Sequence, residues 1–143
     1  MTLEDTLFIR APVKDVWRVT MDLERWPEWA PAVRSIRRLD AGAFGLGSRV
    51  QIQQPGQPLA VWTVTDFAEG ERFSWETAWR GLWMRATHHL APEPGGTRNT
   101  LRLNASGWTV ALSSSVLRFL LRRALIAENG GLKARCEARS LGT

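Results

Sequence analysis

The chain has 143 residues, of which 44% are hydrophobic and 23% charged, and this composition suits one globular domain over residues 1–143. Its single cysteine, Cys136, excludes an internal disulfide. No apolar run reaches the length of a membrane span, and the N-terminus lacks the basic and apolar regions of a secretory signal. We therefore expect a cytoplasmic protein without a membrane span.

The basic balance of the chain raises the question of an anionic partner, because the net charge is +5 and the pI is near 10.9. The densest basic groups are Arg34, Arg37 and Arg38, and then Arg118, Arg122 and Arg123. Acidic residues are dispersed among the basic ones, which is typical of a solvated surface. The sequence gives no clear nucleic-acid signal, and an anionic partner on this basic surface stays a lesser alternative.

The first third of the chain predicts one strand and two short helices. A strand over Thr6–Arg10 precedes a helix over Pro12–Met21, where Pro12 suits the first helical turn and apolar residues recur at helical spacing. A one-turn helix follows, with Trp26 and Trp29 on one side.

Six strands then follow one another with short turns between them. They are predicted at Val33–Leu39, Arg49–Gln53, Leu59–Phe67, Phe73–Trp79, Met84–Leu90 and Leu101–Ala105, with turns at QPGQP and APEPGGTRN among others. Successive strands with short turns favour an antiparallel meander that has one buried face.

The last element is predicted as a long helix that begins near Ser113, as its N-cap, and ends at about Arg139. One stripe of this helix is bulky at first and small thereafter: Leu117, Leu120, Ala124, Ala127, Gly131, Ala134 and Ala138. If this stripe is buried, its small residues allow either tight packing on the sheet or a cavity. The order of elements predicts an α+β domain of two layers.

Several segments resemble the SRPBCC superfamily, the START-related proteins that include the polyketide cyclase/dehydrase and lipid-transport family. They are IRAPVKDVWRVTMDLERWPEWAP, GLGSRVQIQQPGQP, FSWETAW, HHLAPEPGGTRNTLRL and GLKARCEA. The resemblance covers essentially the whole chain. It implies a helix-grip fold, in which a curved seven-stranded antiparallel sheet wraps around the C-terminal helix and a ligand cavity lies between them.

Strand alternation predicts which side chains face that cavity. The candidate ligand-binding residues are Trp29, Ile52, Trp62, Phe73, Trp75, Trp79, Met84, His88, Leu103, Leu120, Ala124 and Ala127. Val50, Val64 and Leu101 fall on the same face, and Trp26 is an alternative to Trp29 for closing one end.

His88 is the clearest polar side chain on this apolar face, with Thr77 as a second. His88 and His89 are adjacent in a strand, so they point to opposite faces and cannot chelate one metal together. We expect no metal and no cofactor, since the sequence lacks a dinucleotide or phosphate-binding motif. His88 is either a satisfied core residue or the candidate for a general acid or base.

Two hypotheses for the function follow. The first is a binding module whose partner is a small hydrophobic or aromatic molecule, lipid-like or polyketide-like. The second is an aromatic cyclase/dehydratase-type enzyme that uses the same cavity. One clear polar candidate inside favours binding over catalysis, and a homodimer is left open.

Overall fold

The computed structural model describes residues 1–54 and 59–141, so the predicted QPGQP turn lies outside them except for its first residue. The strands are β1 (Thr2–Ile9), β2 (Ser35–Arg38), β3 (Arg49–Gln53), β4 (Ala60–Ala68), β5 (Arg72–Trp79), β6 (Leu82–Glu93) and β7 (Gly96–Ser106). The helices are α1 (Val13–Met21), a 3₁₀ helix (Leu23–Glu28) and α2 (Trp108–Leu141).

All seven strands form one antiparallel sheet in the order β1-β7-β6-β5-β4-β3-β2. Strands β2 to β7 follow one another as a meander, and β1 joins the free edge of β7. The helix α2 lies across the strands β1 and β7, while α1 packs against α2 and the ends of β6 and β7. The predicted α+β helix-grip fold with two short helices after the first strand is confirmed.

The hairpin between β6 and β7 is longer than the sequence predicts. The prediction assigned the polar segment APEPGGTRN to a turn, but only Pro94 and Gly95 separate the two strands. Gly95 has a φ of 86°, which suits the tight turn. Thr97 and Asn99, which the turn prediction included, are buried strand residues whose side chains form hydrogen bonds.

The prediction of Ser113 as the N-cap of the last helix is wrong, because α2 begins at Trp108. Gly107 precedes it with a φ of 112°, and its Cα approaches the carbonyl oxygen of Gly81 so closely that a Cβ would lie 2.0 Å away. Only glycine fits this conformation and this contact, so the helix starts directly after β7.

The face that α2 buries also differs from the predicted stripe. The buried side chains are those of Leu125, Asn129, Leu132 and Cys136, whereas Leu120 is about half exposed and Ala134 and Ala138 are exposed. The small-residue stripe therefore lies beside the buried face. Within that stripe, Gly131 makes a close approach, since a Cβ there would lie 2.0 Å from the carbonyl oxygen of Trp29.

Candidate ligand-binding site

The structure places the sequence-predicted site residues in three groups. Trp29, Ile52, Trp62, Phe73, Trp75, His88 and Leu103 are buried. Met84, Ala124 and Ala127 are partly exposed, and Trp79 and Leu120 are about half exposed. Their role in binding a ligand stays a prediction.

Strand register brings most of the predicted sheet residues onto the face that α2 and α1 cover. His88 pairs with Phe73 on β5 and with Leu101 on β7, and Met84 pairs with Thr77 and with Ala105. Because side chains alternate along a strand, residues paired directly across strands share a face. The alternation in the sequence therefore predicted this face correctly for β5, β6 and β7.

His88 lies in the middle of a cluster of aromatic rings. Its imidazole stacks on Phe73, with ring centroids 4.4 Å apart and planes 5° apart. Trp26 and Trp75 approach the same imidazole at 5.5 and 5.9 Å between centroids. Burial lowers the pKa of His88 from 6.5 to about 3, so the ring is neutral at pH 7. Within the described residues, no hydrogen bond involves the imidazole.

The aromatic cluster closes one end of the layer between sheet and helices. Trp26 contacts both Trp29 and Trp75, and its indole N–H donates to the backbone oxygen of Thr20 at 3.0 Å. Phe44, from the segment between β2 and β3, packs edge-on against Phe73 at 5.5 Å. This end is packed core.

The other end of the same layer keeps partial exposure. On the sheet, Thr77, Met84 and Ala86 face inward and are partly exposed. On α2, Leu121 and Ala124 are partly exposed as well. Met84, Ala86 and Leu121 pack against the same small buried cluster around Leu101 and Leu125, so these partly exposed side chains belong to two facing layers.

Glu128 is a residue that the sequence prediction missed. It lies on α2 one turn after Ala124, on the flank between the buried Leu125 and the close contact of Gly131 with Trp29. Its side chain is only partly exposed, and burial raises its pKa from 4.5 to about 7. Within the part of the chain that the structure describes, it forms no ion pair or hydrogen bond. The signal available in the sequence was its position as the first acidic residue of the last helix.

A polar network fastens α2 to the sheet next to this flank. The Nδ2 of buried Asn99 on β7 donates to Oδ1 of buried Asn129 on α2 at 2.7 Å. The Nδ2 of Asn129 donates in turn to the Asp5 carboxylate on β1 at 2.9 Å. Asn99 Oδ1 is a buried acceptor without a partner among the described residues. Burying an acceptor without a partner costs free energy. The hydrogen bonds of Asn129 thus hold α2 on the sheet, while Asn99 Oδ1 beside them accepts no hydrogen bond from the described residues.

Two surface pockets lie outside this layer. An open groove of about 420 Å³ is formed by the β5–β6 hairpin and the start of α2, with Trp79, Trp83 and Trp108 among its walls. A smaller crevice lies between Trp29, Asp22 and Arg135. The described residues contain no group of three His, Cys, Asp or Glu side chains arranged to hold a metal ion. No helix in the same residues is both long and apolar enough to cross a membrane.

Comparisons with known proteins agree with this architecture. Residues 1–137 match the family model described as polyketide cyclase / dehydrase and lipid transport. No curated protein sequence gives a significant match.

Solved structures with the same fold include two aromatase/cyclases. The di-domain ARO/CYC StfQ of the steffimycin biosynthetic pathway is 17% identical, with a TM-score of 0.79 over 97% of this chain and 51% of its own, so this chain spans about half of it. The Zhui aromatase/cyclase from Streptomyces is 16% identical, with a TM-score of 0.78 over 98% of this chain and 95% of its own.

A START superfamily protein from Mycobacterium smegmatis is 16% identical, with a TM-score of 0.71 over 96% of this chain and 97% of its own. These TM-scores establish a shared fold. The family model covers nearly the whole sequence, and the seven-stranded sheet, the short helices and the long last helix are all present. The chain therefore belongs to the polyketide cyclase/dehydrase and lipid transport family.

Proposed function

We propose that this protein binds a small hydrophobic or aromatic molecule between the sheet and the first half of α2. The region, here called the α2 cleft, is bordered by Thr77, Met84, Ala86, Leu121 and Ala124. Both the family description and the aromatase/cyclase neighbours support a ligand of this chemistry.

The observation that carries the proposal is the partial exposure of the side chains that border the α2 cleft. Side chains on two facing layers lose their exposure when the layers close on each other, as they do around Trp26 and Trp75. Apolar walls with a few polar groups are typical of sites for small molecules. The α2 cleft has such walls, and the aromatic cluster around His88 supplies its closed end.

Two polar groups would orient the ligand, His88 at the closed end and Glu128 on the flank of α2. His88 is neutral at pH 7 and offers one donor and one acceptor nitrogen. The pKa of Glu128 is about 7, so both protonation states of its carboxyl group are populated near neutral pH. The protonated group donates a hydrogen bond and the ionised group accepts one. Both groups suit the carbonyl and hydroxyl oxygens of a phenolic or polyketide-like molecule.

The test is a titration with N-phenyl-1-naphthylamine, an uncharged aromatic probe whose emission rises in apolar surroundings. We expect saturable binding that Ala124→Trp abolishes, since the indole would fill the α2 cleft. Ala134→Trp is the matched control, because it adds the same side chain to an exposed position of the same helix. Equal probe binding by the two folded variants would contradict the proposal.

A second candidate function, an aromatic cyclase/dehydratase-type activity, is favoured by Glu128, a half-buried titratable group one turn after Ala124 on α2. A general acid or base works best when its pKa lies near the operating pH. Glu128 meets this condition, whereas His88, with a pKa of about 3, stays neutral and suits hydrogen bonding. Glu128→Gln should then abolish the cyclisation of a polyketide-like substrate while leaving binding of the aromatic probe intact. Retention of that activity by the variant would exclude Glu128 as the acid or base, and a wild type that cyclises no such substrate would leave ligand binding as the only function of the cleft.

A further inference from the structure

The first half of α2 carries an apolar stripe that faces solvent. Trp108, Leu112, Val116, Phe119 and Ile126 are 63%, 79%, 65%, 58% and 48% exposed. With Arg123 between them, their spacing of 4, 4, 3, 4 and 3 residues places them along one side of the helix. We call these six residues the α2 stripe.

The α2 stripe points away from the domain. At about 100° per residue, its centre lies about a third of a turn around the helix from Leu125, Asn129 and Leu132, which face the sheet. The stripe runs for about 27 Å at 1.5 Å per residue. An exposed apolar surface of this length is unusual for a soluble domain and marks an interaction site.

The charges around the stripe are all positive along this part of the helix. Arg118, Arg122 and Arg123 are exposed, and no Asp or Glu occurs between Glu93 and Glu128. The Arg123 guanidinium lies over the Phe119 ring, 5.7 Å from its centre, in a cation–π contact. Apolar and cationic side chains are thus interleaved on one surface.

The start of α2 continues this pattern onto the neighbouring hairpin. The Trp108 indole covers Gly81, where a Cβ would lie 1.9 Å from its Nε1 atom. Trp79 of the same hairpin is about half exposed, and the Arg80 guanidinium lies 5.2 Å from its ring centre. Exposed tryptophans beside arginines are typical of protein surfaces that meet the boundary between lipid headgroups and acyl chains.

We infer that the α2 stripe docks on the surface of an anionic lipid bilayer, with its apolar side chains in the headgroup boundary and its arginines on the lipid phosphates. The excess of positive charge favours this occupant over a second copy of the chain, which would bring one set of arginines against another. A helix with an apolar side and flanking arginines fits this role without crossing the bilayer.

The experiment is co-sedimentation of the full chain with vesicles of phosphatidylcholine alone or of phosphatidylcholine with phosphatidylglycerol. We expect binding to the anionic vesicles that weakens as salt rises. Arg122→Gln together with Arg123→Gln should weaken it about 25-fold, since each arginine near such a surface contributes about fivefold. Leu112→Ser together with Phe119→Ser should weaken it by about tenfold or more, because the apolar contribution is lost.

Matched controls are available elsewhere on the surface. Arg34→Gln with Arg37→Gln removes an exposed basic pair, and Leu46→Ser removes a leucine that is 72% exposed. Both controls should bind the anionic vesicles like the wild type. The inference is overturned if the two vesicle types bind equally, or if the stripe variants match the controls. It is equally overturned if gel filtration shows a wild-type dimer that the Phe119 substitution dissociates while vesicles bind neither form. Vesicle binding is measured without a ligand, so its failure would not bear on the proposal that a ligand binds in the α2 cleft.

Discussion

The imidazole of His88 lies flat on the ring of Phe73, 4.4 Å away between centroids, and no charged partner holds a proton on it. A histidine in such a place is neutral because its cation would lose the hydration that water provides in the unfolded chain. The pKa of His88 falls from 6.5 to about 3 for this reason. Below about pH 6.5 the unfolded chain therefore takes up a proton that the folded protein does not.

The His88→Leu variant should remove this sensitivity to acid. Each pH unit below 6.5 costs the wild type about 1.4 kcal/mol through His88, and the variant does not lose it. Urea unfolding at several pH values between about 7 and 4.5 measures the difference between the two proteins. We expect the free energy of unfolding of the variant to rise relative to that of the wild type as the pH falls. Altered packing shifts this difference by the same amount at every pH. A difference that stays constant with pH would show that His88 takes up a proton in the folded protein as readily as in the unfolded chain.

The Glu128→Gln variant should show the opposite dependence. The pKa of Glu128 rises from 4.5 to about 7, so the folded protein retains a proton that the unfolded chain loses as the pH rises through this window. Stability through Glu128 therefore falls as the pH rises from about 4.5 to about 7, and the full cost of the ionised carboxylate is present above about pH 7. Because the side chain keeps some exposure, we expect glutamine to add about 1 to 3 kcal/mol at about pH 8 and to add none of this at about pH 4. Equal stability of the two proteins at both pH values would show that the Glu128 carboxylate is fully solvated in the folded protein.

These two groups offset each other in the wild type. Between about pH 4.5 and 6.5, the fold holds one proton on Glu128 and none on His88, while the unfolded chain holds one on the histidine and none on the glutamate. Their contributions to the slope of stability with pH cancel in this window. Each single variant should therefore reveal a slope that the wild type hides.

The adjacent glycines of α2 provide a matched pair. A methyl group on Gly130 would face open space, with nothing within 4 Å, whereas a methyl group on Gly131 would lie 2.0 Å from the Trp29 carbonyl oxygen. Gly130→Ala should stabilise the protein by about 1 kcal/mol through helix propensity. Gly131→Ala should destabilise it by about 1 to 3 kcal/mol through overpacking. Thermal unfolding compares the two, and similar effects of the same sign would contradict the close contact.

The anchor of α2 depends on Asn129. Asn129→Leu leaves the Asn99 amide without its acceptor and removes the donor to the Asp5 carboxylate. We expect a loss of about 3 kcal/mol in the free energy of unfolding, since buried polar groups without partners are costly. Asn104→Leu is a control, because its side chain accepts an exposed hydrogen bond from Thr2. A loss at Asn129 no greater than at Asn104 would show that the network does not stabilise the helix.

The sequence predicted the sheet better than the long helix, for physical reasons. Alternation in β5 has a period of two, and Phe73 and Trp75 follow it, so their shared face was unambiguous. In α2, apolar residues between Leu112 and Ile126 occur on every side of the helix, so periodicity does not indicate which side is buried. Only tertiary packing settles this, and it places Leu125 and Leu132 inward.

Local signals also misled the prediction where glycine and polar residues occupy unusual settings. Ser113 resembled an N-cap, but Gly107 permits a helix that starts six residues earlier in the chain. Asn99 and Thr97 resembled turn residues, yet their side chains satisfy buried hydrogen bonds. Glu128 carries no motif, and its raised pKa depends on burial that arises only in the fold.

The most direct test of the central proposal follows the methionine methyl groups by NMR while N-phenyl-1-naphthylamine is added. The chain has three methionines, Met1, Met21 and Met84, so the methyl spectrum is simple. Met84 borders the α2 cleft on β6, whereas Met21 lies at the end of α1 and packs against the main buried core. We predict a saturable shift of the Met84 methyl resonance and little change at Met21. Saturable binding of the probe without a shift at Met84 would contradict a ligand site in the α2 cleft.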